Sequence, residues 1–187
     1  QLRDIGQQPL PETIIPQGIQ AIIERRLARL SSEAHPLLLL AAVAGRQLDT
    51  QLLLHLAGKS DLTAWLSSCM NAAMIAVQEN RWQFTHDKIR EGLINQLDAQ
   101  ARQQRHQQIA QAIAKVYPDD ASHTINLAYH WQQAGDTAQE LYYTQQAAQY
   151  TASQYANQEA VNLYSRVYEL LPTSAQAERF ACLQQRK

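Results

Sequence analysis

Residues 74–97 change their hydrophobic period from strand-like to helical, and this change limits what the chain can fold into. Trp82 and Phe84 alternate with Gln83 and Thr85, the period of two of a half-buried strand, while Ile89, Leu93, Ile94 and Leu97 recur at helical spacing. Residues 74–78 and 81–85 flank Glu79-Asn80, and Asn tolerates a positive φ, so the two runs are expected to close a tight hairpin. Strand passes into helix at residues 85–87. Thr85 is the expected N-cap, and Asp87 in the first turn favours the positive end of the helix dipole. His86 is left beside the unpaired amides of a helix N-terminus, a place that suits a phosphate. No further strand signal appears, and the remainder reads as helix after helix.

The 187 residues, 45% hydrophobic and 18% charged, suffice for one or two small domains that need no disulfide, metal or membrane. The chain begins at Gln1 with no secretion signal in view, and is expected to be a piece of a longer protein. Its longest strongly apolar run, residues 37–44, falls far short of the roughly 20 residues that span a bilayer. Cys69 and Cys182 show no metal or redox spacing, which suits a reducing, cytoplasmic setting. A net charge of -1 and a pI near 6.6 argue against strong nonspecific affinity for nucleic acid or acidic membranes.

Residues 1–15, with Gly6, Pro9 and Pro11, read as a linker. Pro16 then opens a helix with Ile19, Ile22, Ile23, Leu27 and Leu30 on one face. Ser31 and Ser32 offer caps for a second helix, and Gly45 is placed to end it in a left-handed conformation. A third helix starts at Asp49 or Thr50 and stops at Gly58. A fourth begins near Ser60 or Asp61 and carries Leu62, Leu66, Cys69 and Met70. Helices followed by a hairpin are in winged-helix order, which assigns residues 16–98 to a winged-helix-like domain.

Beyond Asp98 the composition shifts to Gln, Ala and Tyr. Helices are expected at 99–116, 122–134, 137–153, 157–171 and 174–186. Ala147, Ala148, Ala156 and Ala160 lie opposite Tyr143, Tyr155, Tyr164 and Tyr168, a usage that suits helices stacked antiparallel. With Pro172 closing a unit, Ala148, Ala160 and Tyr164 fall where a tetratricopeptide-like (TPR-like) repeat wants two small residues and an aromatic. Residues 99–187 are thus either the start of a TPR-like array or a plain helical bundle. The expected fold class is mainly α: a winged-helix-like domain with one small hairpin, followed by TPR-like antiparallel helical repeats, joined by an exposed segment near residues 98–104.

The blocks IIERRLARLS (22–31), LLLLAAVAGRQLD (37–49), the hairpin with WQFTHDKIREGL (82–93), RQQRHQQIAQAI (102–113), LAYHWQQAGD (127–136) and YANQEAVNLYSRVYELLP (155–172) resemble, in order and spacing, the region after the ATPase core of bacterial STAND-class proteins. These are AAA+-related signal-transduction ATPases, commonly fused to a transcription-factor, cyclase or kinase output domain. The resemblance implies a winged helix that packs on the nucleotide-binding core of the same chain, then a helical-repeat arm that holds a protein partner. It also implies that His86 contacts the phosphate of ADP and helps lock the resting state, with Asp87 in support. Related plant and animal sensors have Met-His-Asp at this junction, and Thr85 replaces the Met here. ATP and ADP belong to the parent protein; no cofactor or metal is expected in this segment.

Catalysis within the segment has little support. Gly58-Lys59-Ser60 looks like the end of a phosphate-binding loop, but the glycine required five residues earlier is Leu53 and the preceding segment is helical. His123 and His130 have no third metal ligand nearby, and stacking with Tyr129 and Trp131 is the expected use. Asp87 and Glu91 have no nucleophile or pocket to serve and read as a solvated face. Arg102, Arg105 and His106 form a local basic cluster, expected as solvated surface or as salt-bridge partners. The rival readings are a winged-helix DNA-binding regulator and a simple TPR-like scaffold. Against the first, the third helix, DTQLLLHLAG (49–58), carries no Arg or Lys for phosphate or base contacts.

Overall fold

The computed structural model describes residues 17–185. The linker reading of residues 1–15 and the opening role of Pro16 lie outside the described residues. The described chain is mainly helical with one small two-stranded antiparallel sheet. In order it runs α1 (Gln17–Leu27), α2 (His35–Ala44), α3 (Thr50–Ala57), α4 (Leu62–Asn71), β1 (Ile75–Gln78), β2 (Arg81–Phe84) and α5 (Asp87–Ile94), then α6 (Ala99–Val116), α7 (Thr124–Ala134), α8 (Thr137–Ser153), α9 (Asn157–Leu170) and α10 (Gln176–Gln184).

Aspartates set four of the helix starts. Asp49 accepts from the amides of Gln51 and Leu52 at 2.9 and 3.0 Å, and Asp61, Asp98 and Asp136 cap α4, α6 and α8 in the same way. Two expected caps are not used. α2 is entered through a 3-10 turn at Ser32–Ala34, with Ala34 at the N-cap and Pro36 in the first turn, so neither Ser31 nor Ser32 caps it. Gly45 does end α2, but with extended backbone (φ 158°, ψ -177°) rather than a left-handed turn, because the chain continues straight into pairing with β2. Gly58 and Gly135 are the residues that close helices, α3 and α7, at positive φ, 61° and 76°. Glu79 and Asn80 both sit at positive φ between β1 and β2, the requirement of a two-residue type I′ hairpin.

The first core gathers Ile23, Leu38, Leu53, Met74, Phe84 and Leu93, and the Trp65 indole inside it donates to the Ala34 carbonyl at 3.1 Å. Met70, expected on the inner face of α4, is 45% exposed, and Trp65 fills that role. A second core joins the two halves of the chain. Leu40 and Val43 of α2 and Leu52 of α3 meet Ile109, Ala110 and Ile113 of α6, with Leu127 and Trp131 of α7 behind them. The connection expected over residues 98–104 is shorter than that. α5 ends at Ile94, and Asp98 already caps α6, which carries residues 99–104 in regular helix.

From α6 to α10 each helix packs on the next. Ala147 and Ala148 are wholly buried and Ala160 nearly so, so backbones approach closely there, with Tyr143, Tyr164 and Tyr168 half-buried around them. Tyr155 departs from its expected place. It sits at φ 59° in the turn between α8 and α9 and is 89% exposed.

Candidate functional site

The strand-to-helix junction is built by three backbone devices. Residues 46–48 run beside β2, where Leu48 donates to the Trp82 carbonyl at 2.8 Å and Phe84 donates to that of Arg46 at 3.1 Å. Ala73, in the left-handed region at φ 55°, turns its carbonyl toward the junction. The Thr85 hydroxyl donates to that carbonyl at 2.9 Å, and the Arg26 guanidinium of α1 donates to it at 2.6 Å. Thr85 is therefore not the N-cap of α5. Its hydroxyl ties the end of β2 back to the α4–β1 turn, and the cap position passes to His86.

His86 lies at φ -148°, ψ 144°, is exposed, and makes no side-chain cap to α5. The first-turn amides of α5 thus have no side-chain acceptor, unlike those of α3, α4, α6 and α8. Asp87 is pulled the other way, to Arg46 Nη1 at 3.1 Å, with both side chains about half exposed. The buried Ile89 and Leu93 hold α5 on the first core and so fix the junction. An exposed imidazole at an uncapped helix start, with one guanidinium nearby, can donate to an anionic oxygen that the helix dipole already favours.

The other residues singled out from the sequence lie elsewhere. Glu91 pairs with Lys88 at 2.6 Å, and Gly58, Lys59 and Ser60 form the exposed turn between α3 and α4, with Asp61 rather than Ser60 as the cap. Arg102 reaches the Ile94 carbonyl at 3.4 Å, and Arg105 reaches Gln108 at 3.1 Å. His106 is no surface residue. It is 5% exposed and its Nδ1 lies 2.9 Å from Nδ1 of His130, itself 3% exposed, so a pair of imidazoles joins α6 to α7 inside the protein. Tyr129 stands edge-on to both rings. Burial pushes His106 down to about 4, helped by the Arg102 charge, and pushes His130 down to about 3, helped by His106. His123 stacks on Tyr117 with ring centroids 4.0 Å apart. Among the described residues no group of three or more His, Cys, Asp or Glu is placed to hold a metal. Cys69 is a buried thiol pushed up to about 12 by burial alone, and both cysteines are free.

The histidine pair escaped sequence reasoning although its signal was there. His106 is in step with Ile109, Ala110 and Ile113, and His130 with Leu127 and Trp131, so both occupy the apolar stripes of their helices. Comparison with protein-family models, with curated proteins and with solved structures finds no match. Among the described residues no single helix is long and apolar enough to cross a membrane.

Proposed function

We propose that this chain is a non-catalytic regulatory and protein-interaction segment of a STAND-type ATPase. In this reading it packs on the nucleotide-binding core of the same protein, controls the ADP/ATP switch, and couples that switch to a protein partner through a TPR-like arm, α6 to α10. The observation that carries the reading is His86: exposed, without a side-chain cap bond, and seated at the one strand-to-helix junction among the described residues. The element order supports it, since α2, the paired residues 46–48, α3, α4 and the hairpin follow one another as in a winged helix.

DNA reading is disfavoured on the same grounds of chemistry. The helix that runs directly into the hairpin is α4, so the recognition position passes from residues 49–58 to LTAWLSSCMN. Neither α3 nor α4 contains Lys or Arg, the donors on which phosphate and base contacts rest. The test is made on this chain directly. Titrated with ADP, ATP and duplex DNA at physiological salt, it is expected to show no turnover, no tight nucleotide binding and no sequence-specific DNA complex. Submicromolar specific DNA binding by fluorescence anisotropy would replace the regulatory reading with the DNA-binding one, and ATP turnover by the purified chain would make it an enzyme.

A further inference from the structure

The contact between α2–α3 and α6–α7 is apolar along most of its length and polar at one end. There Tyr117, at the end of α6, donates its hydroxyl to Asp49 Oδ2 at 2.6 Å. Beside this bond lies a cavity of about 130 Å³. Its lining combines the apolar side chains of Ala41, Ala44, Leu52 and Ile113 with the polar ones of Gln47, Asn126, His123 and His130. We propose that this cavity is a binding site for a small uncharged ligand about the size of one heteroaromatic ring, held by the apolar lining and the imidazole of His130.

Size, charge and hydrogen bonding each narrow the ligand. An apolar cavity of about 150 Å³ accommodates benzene, so the space here fits a single five- or six-membered ring. The charged and titratable groups facing the cavity are already engaged or neutral. Asp49 Oδ1 accepts two backbone amides and Oδ2 accepts Tyr117; His123 stacks on Tyr117 with its Nε2 3.7 Å from Asp120; His130 is paired with His106. Neither a cation nor an anion would find a free counter-charge, and burying an unpaired charge is costly. His130 spends Nδ1 on His106, which leaves Nε2 as its remaining polar atom. In a neutral pair one Nδ1 donates and the other accepts, so His130 Nε2 is a donor when His106 donates and an acceptor when His130 does. The carboxamide of Asn126 can likewise do either, whereas Gln47 Oε1 already accepts from Arg81 Nη1 at 3.1 Å and leaves Gln47 its amide donor. A ring with a donor and an acceptor side by side, as in a neutral azole, suits such a set of groups.

The cavity meets the His86 junction only through Gln47 and Leu48 of the segment beside β2 and includes none of Thr85, His86 and Asp87, so its test does not depend on the nucleotide reading. Pyrazole is the probe, titrated into the chain at neutral pH while the histidine side-chain ¹⁵N resonances are followed. Saturable shifts at His130 and His106 are expected, with benzene, which has the same size but no polar edge, binding at least tenfold more weakly. Ala44→Leu, at the partly exposed rim, fills the space without touching the histidine pair or the Asp49–Tyr117 bond and is expected to abolish the shifts. Asn126→Leu, on an exposed position of α7, removes one carboxamide and is expected to weaken binding by about tenfold. Absence of saturable shifts in the wild-type chain, or shifts unchanged in both variants, overturns the site.

Discussion

Acidification from pH 7 to pH 4.5 is expected to remove about 3 kcal/mol or more of stability through His106 and His130 alone. In the folded protein burial holds them near 4 and 3, whereas in the unfolded chain both titrate near their ordinary 6.5. Between those values the unfolded state binds protons that the folded state refuses, so stability falls as pH falls below 6.5 and stops falling once the folded pair is itself protonated. The charges facing the pair do not relieve this, since Arg102 one turn away on α6 opposes protonation and Tyr129 offers no counter-charge. Urea unfolding at the two pH values measures the loss. His106→Leu with His130→Leu replaces both partners by apolar groups of similar size, which is near neutral at pH 7 and should flatten the curve over this window. His130→Leu alone strands a buried imidazole nitrogen and should cost about 1–3 kcal/mol at pH 7. An unchanged pH dependence in the double variant would assign the acid sensitivity to carboxylates elsewhere.

The second large effect is expected at the buried carboxylate of the array. Glu140 of α8 is 5% exposed, and its Oε1 receives both Nε and Nη2 of Arg166 from α9 at 2.8 Å. Arg166→Met leaves that carboxylate buried without its counter-charge. Breaking such a pair from one side costs several kcal/mol when both partners are buried. Arg166 is 39% exposed, so water reaches the site and the expected loss is about 2–3 kcal/mol. Adding Glu140→Gln removes the stranded charge and should recover most of the loss. A single variant as stable as the wild type would mean that solvent already carries the Glu140 charge.

How much of this was legible follows from which signals are local. The hairpin and the helices from α6 to α10 follow from turn chemistry and periodicity: Glu79-Asn80, Gly58, Gly135 and Pro172 punctuate the chain, and each acts over a few residues. The caps were harder because two oxygens competed for each role. Asp61 prevails over Ser60 as a stronger acceptor, and Thr85 is diverted to the Ala73 carbonyl, a partner 12 residues away that no local rule reveals. The same holds for the site. His86 was visible as a histidine at a change of period, but Arg46, paired with Asp87, and Arg26, bonded to the Ala73 carbonyl, arrive at the junction by tertiary packing. The division at residue 98 tracked composition, whereas α6 is held on α2 and α3 by an apolar face that composition does not report.

The central claim is that His86 is a nucleotide-state contact and not a helix-start residue with a structural role only. The most direct measurement is the ADP release rate of the full-length protein carrying His86→Ala, set beside the thermal melting of this chain with the same change. One charge-assisted hydrogen bond is worth about 1.5–3 kcal/mol, so release should quicken by roughly ten- to a hundredfold. The melting temperature should stay put, because the exposed imidazole buries nothing and makes no cap. Asp87→Ala is the control, expected to cost about 0.3–1 kcal/mol of stability through the helix dipole and little in ADP release. Unchanged ADP release together with a large fall in the melting temperature of the His86→Ala chain would contradict the account.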